Sequence, residues 1–302
     1  MSANKGITAI AILMITTTFS AVPSLAEITQ FTTDPANDYF ASWSPDGSMI
    51  AYESTSFGTN IFIKAIEGGP RVQITFGHDH HASWSPDWEK IAYASTASGN
   101  YDIWVVDLNN NKDTQITKDF RPDVLPAFSP DGLSIAYCSK FGGQFDICTI
   151  PVSGGTPIRL TTNEADDYRP CWSPDGTEIA FTSERSGDFD IWVTPSAGGD
   201  LTKITSGPSN DWGPSWSPDG SAIAFDSDRN GNFDIWTITL AEGTLAQVTT
   251  DPSGDYSPCW SPDGGKIAFE SERSGNFDIW IIDYVTGIKS SSLGEIKAFF
   301  AE

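Results

Sequence analysis

Six aspartates recur at one place in this sequence. Asp38, Asp79, Asp123, Asp167, Asp211 and Asp255 each stand six residues ahead of a serine in an aromatic-Ser-Pro-Asp tetrad. Directly after them come Tyr39, His80, Val124, Tyr168, Trp212 and Tyr256. Carboxylates gathered from several segments supply the hard oxygen ligands that Ca2+ takes. They would equally meet an ammonium or guanidinium group on a partner. A repeated Asp ahead of a strand also serves as a turn former that accepts backbone N–H groups. A carboxylate has acceptor sites enough for both roles.

The three histidines fall in one stretch, His78, His80 and His81, around Asp79. His-x-His spacing suits a transition metal bound through neutral imidazole. His78, Asp79, His80 and His81 are therefore a candidate metal set, completed by ligands from distant segments. Otherwise the stretch is a surface loop. Arg185, Arg229 and Arg273 recur in equivalent loops. They are expected to pair with Glu184, Asp228 and Glu272 or with aspartates of a neighbouring unit. Cys138 and Cys148 flank one predicted hairpin at a spacing that would allow a disulfide, while Cys171 and Cys259 read as small core residues. Signatures of catalysis are missing. There is no Gly-x-Ser-x-Gly elbow, phosphate-binding loop or dinucleotide fingerprint. Acids are abundant, but no pair stands out as a glycosidase couple.

A repeat must position these residues. Its anchor serines are 44, 85, 129, 173, 217 and 261, spaced by 41, 44, 44, 44 and 44 residues. Gly follows the tetrad's Asp in five copies, and Trp88 replaces it in the second. Pro presets φ and Gly tolerates positive φ, so the Pro-Asp-Gly stretch is a tight turn. Short runs rich in Ile, Val, Phe, Tyr and Trp flank it and read as strands. Ser-Glu-Arg-Ser-Gly-Asp-Phe-Asp-Ile-Trp at 183–192 has close copies at 227–236 and 271–280. Each unit ends on an apolar-Thr pair, as in Ile74-Thr75 and Leu160-Thr161. Units of about 44 residues with four short strands predict an all-β, six-bladed β-propeller with four-stranded blades. Glu27 to Thr33 resembles an outer strand with no blade of its own. It is expected to close the ring by pairing into the sixth blade, in competition with residues 288–293.

The 302 residues include 11 Trp, and 39% are hydrophobic, ample for a packed core. Residues 1–26 read as a secretory signal: Lys5, an apolar run from Ile7 to Phe19, and a small-x-small site at Ser24-Leu25-Ala26. A membrane anchor is the competing reading, but the run is short for a bilayer. Residues 27–302 are then the propeller, soluble and read as monomeric. Losing Lys5 moves the net charge from −23 to −24. Nucleic acid is disfavoured as a partner, because phosphate binding needs a basic patch. Cations and basic protein faces are favoured.

The recurring Trp-Ser-Pro-Asp-Gly, Ile-Ala-Phe and Asp-Ile-Trp elements resemble the TolB-type propeller repeat across nearly all of the mature chain. The resemblance implies a periplasmic six-bladed propeller in the Tol–Pal system of the envelope. It also implies protein partners, among them a Pal-like lipoprotein, held at one mouth of the channel. TolB proper carries an α/β domain ahead of its propeller, whereas here the first blade starts about fifteen residues after the predicted cleavage site. Related repeats also form the propellers of serine peptidases and of pectate-fragment lyases. The expected function is a non-enzymatic binding scaffold that engages protein at an acidic channel mouth. A carbohydrate-active or sugar-binding propeller with a channel cation is the alternative.

Overall fold

The structure is a computed structural model that describes residues 26–56 and 58–284. Its 24 strands form six sheets of four, with no helix among the described residues; five sheets run in chain order from an innermost to an outermost strand, and the sixth takes Ile28–Gln30 as its outermost strand. Blade one comprises Asp38–Trp43, Met49–Ser54, Asn60–Ala65 and Val72–Gln73; the innermost strands of the others begin at Asp79, Asp123, Asp167, Asp211 and Asp255. The predicted six-bladed propeller is the observed fold.

The tetrad builds the turn between the two inner strands. Ser44 Oγ donates to Asp46 Oδ1 at 2.6 Å and accepts the Met49 N–H at 2.9 Å, while Ser48 N–H also reaches Asp46. The same serine–aspartate bond recurs in every blade. Gly47 sits at φ 72°, a region that L side chains avoid, and Trp88 is forced to φ 63° at the equivalent position.

The second strands fill the core. Tyr52, Tyr137, Phe181, Phe225 and Phe269 occupy one repeat position and are essentially inaccessible. Burying each stabilises the fold by roughly 1.5–3 kcal/mol. Core clusters run across the blade seams, as where Ala51 and Ile61 of blade one meet Trp84 and Tyr93 of blade two. Indole N–H groups tie the seams further: Trp84 to Ser42 O at 3.1 Å and Trp172 to Ala127 O at 3.0 Å.

The apolar-Thr ending also has a structural task. In each blade its Thr Oγ1 accepts the N–H of the Ile in the third strand, as Thr75 does from Ile61 at 3.0 Å. In blade six this Thr comes from the other end of the chain. Ile28–Gln30 pairs antiparallel with the third strand, Thr29 opposite Ile281, and Thr32 accepts the Ile279 N–H at 2.9 Å. The N-terminal strand therefore closes the ring, as its sequence predicts. The signal assigned to residues 1–26 lies, but for Ala26, outside the described residues, as do residues 288–293 and the tail to 302.

The proposed Cys138–Cys148 disulfide does not form. Cys138 pairs with Ile147 across the hairpin, and Cys148 with Tyr137. Alternation then sends the two thiols to opposite faces of the blade. One joins the cluster shared with blade four, the other that shared with blade two, and both are free.

Candidate functional site

Each innermost strand carries a bulge just after its aspartate. The residue two beyond the aspartate sits in the left-handed region: Phe40, His81, Leu125, Arg169, Gly213 and Ser257, at φ 52–60°. Five of the six are not Gly, and each such residue costs about 1 kcal/mol or more. The bulge turns these residues onto the axis, where three consecutive residues from every blade line the channel. Cys171 and Cys259 belong to this lining, each packed partly against a seam.

The preceding blade caps the strained N–H groups. Phe40 N–H donates to Glu270 Oε1 at 2.7 Å, Ser257 N–H to Asp226 Oδ1 at 2.9 Å, Gly213 N–H to Thr182 Oγ1 at 3.1 Å, and His81 N–H to Glu53 Oε2 at 3.3 Å. Arg169 N–H reaches the Cys138 thiol. Ala94 stands at the equivalent position before Leu125 and offers no acceptor. One position of the second strand thus braces one position on the axis at five of the six seams.

The six predicted aspartates lie elsewhere. Asp38, Asp79, Asp123, Asp167, Asp211 and Asp255 are at most 3% exposed. As the first residues of innermost strands they pair opposite serines such as Ser54 and point into the blade body. Arg185 grips Asp167 with Nη2 at 2.7 and 2.8 Å, Arg273 grips Asp255 at 2.6 and 2.7 Å, and Arg229 holds Asp211 at 2.8 Å. These arginines therefore pair within their own blade rather than with Glu184, Asp228, Glu272 or a neighbour. Asp79 accepts the Gly77 N–H at 2.9 Å. Asp38 and Asp123 form no ion pair among the described residues, and burial pushes each carboxyl up to about 7 against the weaker pull of nearby hydroxyls such as Ser54 and Ser139. A shared ring of ligands at the mouth is not what these residues make.

The histidines separate too. His78 is exposed. His80 Nδ1 lies 3.2 Å from Glu53, whose hydrogen bond raises its pKa, and Nε2 meets the Tyr101 hydroxyl at 3.3 Å. His81 is on the axis against Phe40, and burial pushes its pKa well down. The set His78, Asp79, His80 and His81 is not brought together. Among the described residues no group of three or more His, Cys, Asp or Glu side chains is arranged to hold a metal ion.

What the mouth does present is an aromatic collar. Tyr39, Tyr168, Trp212 and Tyr256, each directly after a buried aspartate, pair with an aromatic from the preceding blade's central loop. Phe277 lies 5.1 Å from Tyr39 between ring centroids, Phe145 5.4 Å from Tyr168, Phe189 4.0 Å from Trp212, and Phe233 5.3 Å from Tyr256. The sequence reading names the first partners and misses the second. Their signal is the aromatic directly before each Asp-Ile pair of blades two to six: Tyr101, Phe145, Phe189, Phe233 and Phe277.

Arg169 floors this mouth. It rises from blade four, donates to Ser257 Oγ of blade six at 2.6 Å, and packs on the Phe40 ring of blade one at 4.9 Å. On the way it passes Gly213, where a Cβ would stand 2.9 Å from Nη1 and 3.0 Å from Asp226 Oδ1. Phe40, Arg169 and Trp212 divide the mouth into lobes of about 420 and 400 Å3. The larger lobe has Glu53, Asp226 and Glu270 in its lining. Burial raises the Asp226 carboxyl to about 7 against the pull of Arg169, and burial also pushes the Glu270 carboxyl upward.

Fold and mouth together define a ring-closed six-bladed propeller with a lined axial pocket, the architecture of a binding or catalytic propeller. The chain belongs to the TolB beta propeller domain family, whose model matches residues 58–170, 166–239 and 211–295. Among solved structures it is similar to a protein from Agrobacterium tumefaciens assigned as TolB, with 23% identity over 86% of this chain and 98% of that one and a TM-score of 0.69. TolB from Acinetobacter baumannii matches at 22% identity over 82% and 64% of the two chains, TM-score 0.63. Oligogalacturonate lyase from Vibrio parahaemolyticus matches at 14% identity over 88% and 96%, TM-score 0.64. At these identities the likenesses establish the fold. No curated protein matches the sequence.

Proposed function

We propose that this chain is a non-enzymatic binding protein of the periplasm that holds a protein partner at the aromatic mouth of its channel. The observation that carries the reading is the collar itself. Large, half-buried aromatics converge with buried acids on a pocket of about 420 Å3, the composition of a binding hot spot. Kinship with TolB propellers points to an envelope assembly of the Tol–Pal kind, with a Pal-like lipoprotein as candidate partner. Capture from envelope extract on immobilised protein is expected to recover one protein. Trp212→Ala with Tyr256→Ala should weaken that capture at least tenfold. Recovery of no protein would overturn the reading.

A sugar-binding function draws on the same collar, because aromatic faces beside carboxylates also suit a sugar ring. The lyase likeness lends it a fold-level parallel. Retention of an oligosaccharide instead of a protein would favour it.

A further inference from the structure

The larger lobe is aromatic on its walls and anionic on its floor. Tyr39, Trp212, Phe233, Tyr256 and Phe277 stand around it. Glu53, Asp226 and Glu270 line it although they are only 5%, 3% and 4% exposed. Each uses an oxygen to brace a strained N–H of the next blade. Asp226 Oδ2, by contrast, accepts no hydrogen bond among the described residues, and Asp226 lines the lobe. Arg169 is the one base in the lining, held by Ser257 and the Phe40 face. With its acids ionised, three carboxylates against one base leave a net negative cavity.

Aromatic faces carry negative quadrupole density and attract cations that come partly desolvated. Buried carboxylates add an attraction that water does not screen. A small hard cation wants six or more convergent oxygens, and among the described residues these acids are not arranged to hold one. An anion would meet the carboxylates. A cation with apolar substituents satisfies both wall and floor.

We propose that this lobe binds an alkylammonium group, the chemistry shared by a lysine side chain and a free choline-like cation. The inference rests on the mouth being a binding site and names the group that it reads. The lysine source fits a protein partner, whereas the choline source fits a small-molecule ligand.

The test is an NMR titration of the 15N-labelled full chain at pH 8, where Asp226 is largely ionised. Shifts are followed at the Trp212 indole N–H, assigned with Trp212→Phe. The probes are Nα-acetyl-lysine methylamide, choline and the neutral Nα-acetyl-norleucine methylamide. At least one ammonium probe is expected to bind tenfold or more tightly than the neutral control. Tighter lysine binding assigns the source to a partner side chain, and tighter choline binding to a free cation. Glu270→Gln and Asp226→Asn keep the bracing acceptors and should each weaken binding about tenfold with no loss of melting temperature. Equal binding of the neutral probe, no binding of either cation, or indifference to both substitutions overturns the proposal. Partner capture that persists in Glu270→Gln and in excess choline would remove this inference and leave the partner reading standing. Ammonium binding without any captured protein would do the reverse.

Discussion

Asp123 shows what one buried residue does to this protein. It is 1% exposed, and burial, which disfavours its charge, pushes the carboxyl from 3.8 up to about 7 against the weaker pull of the Ser139 and Thr117 hydroxyls. Burial pushes the carboxyls of Asp38 and Asp226 up to about 7 as well. Between about pH 4 and 7 the folded state holds protons that the unfolded chain has released. Stability must therefore fall as pH rises through that window. Melting temperature is expected to drop by several degrees from pH 5 to pH 8. Asp123→Asn removes the group that loses its proton, so it should flatten part of that slope and gain on the parent at pH 8. A slope unchanged in Asp123→Asn would show that this carboxyl is solvated or paired. Asp167, Asp211 and Asp255, each gripped by an arginine, show how the same repeat position is neutralised in blades four to six.

Among the elements, the inner turn shows a repeat working against one of its copies. Ser-Pro-Asp-Gly closes with serine and aspartate bonds and a left-handed glycine, but blade two places Trp88 at φ 63° with half of its surface exposed. Replacing it by Gly should stabilise the protein by about 1 kcal/mol, since the strain exceeds the little packing lost. Urea unfolding measures this, and a loss of stability would mean that Trp88 packs for more than its exposure indicates. The bulged innermost strand is the functional counterpart. Strain there persists in five blades because a side chain from the blade before holds the N–H, and the bulge aims variable residues at the axis.

At the scale of the molecule, closure is a contract between the two ends of the chain. Thr32 makes in blade six the bond that Thr161 makes inside blade three, both at 2.9 Å. Thr32→Val and Thr161→Val should each cost about 1–3 kcal/mol by leaving a buried N–H unpaired. Were the N-terminal strand merely appended, Thr32→Val would leave the denaturant midpoint in place. Much of this architecture is legible in the sequence. Repeat length, turn residues and the apolar-Thr ending fix blade number, strand order and the closing strand, because each depends on local chemistry recurring in register. The sequence also locates the mouth, since Tyr39, Tyr168, Trp212 and Tyr256 do line the collar. It misjudges which neighbours face the channel. Asp38 and its equivalents recur because the blade needs them inside. The axial residues, from Phe40 to Ser257, share no residue type and so carry no repeat signal. Their direction is set by a bulge and by acceptors such as Glu270 and Asp226 some thirty residues or more away in the chain, on the neighbouring blade. Periodicity in a sequence reports what every blade requires. What distinguishes this channel, Arg169 over Gly213 between buried acids, arises only where six unlike residues meet on one axis.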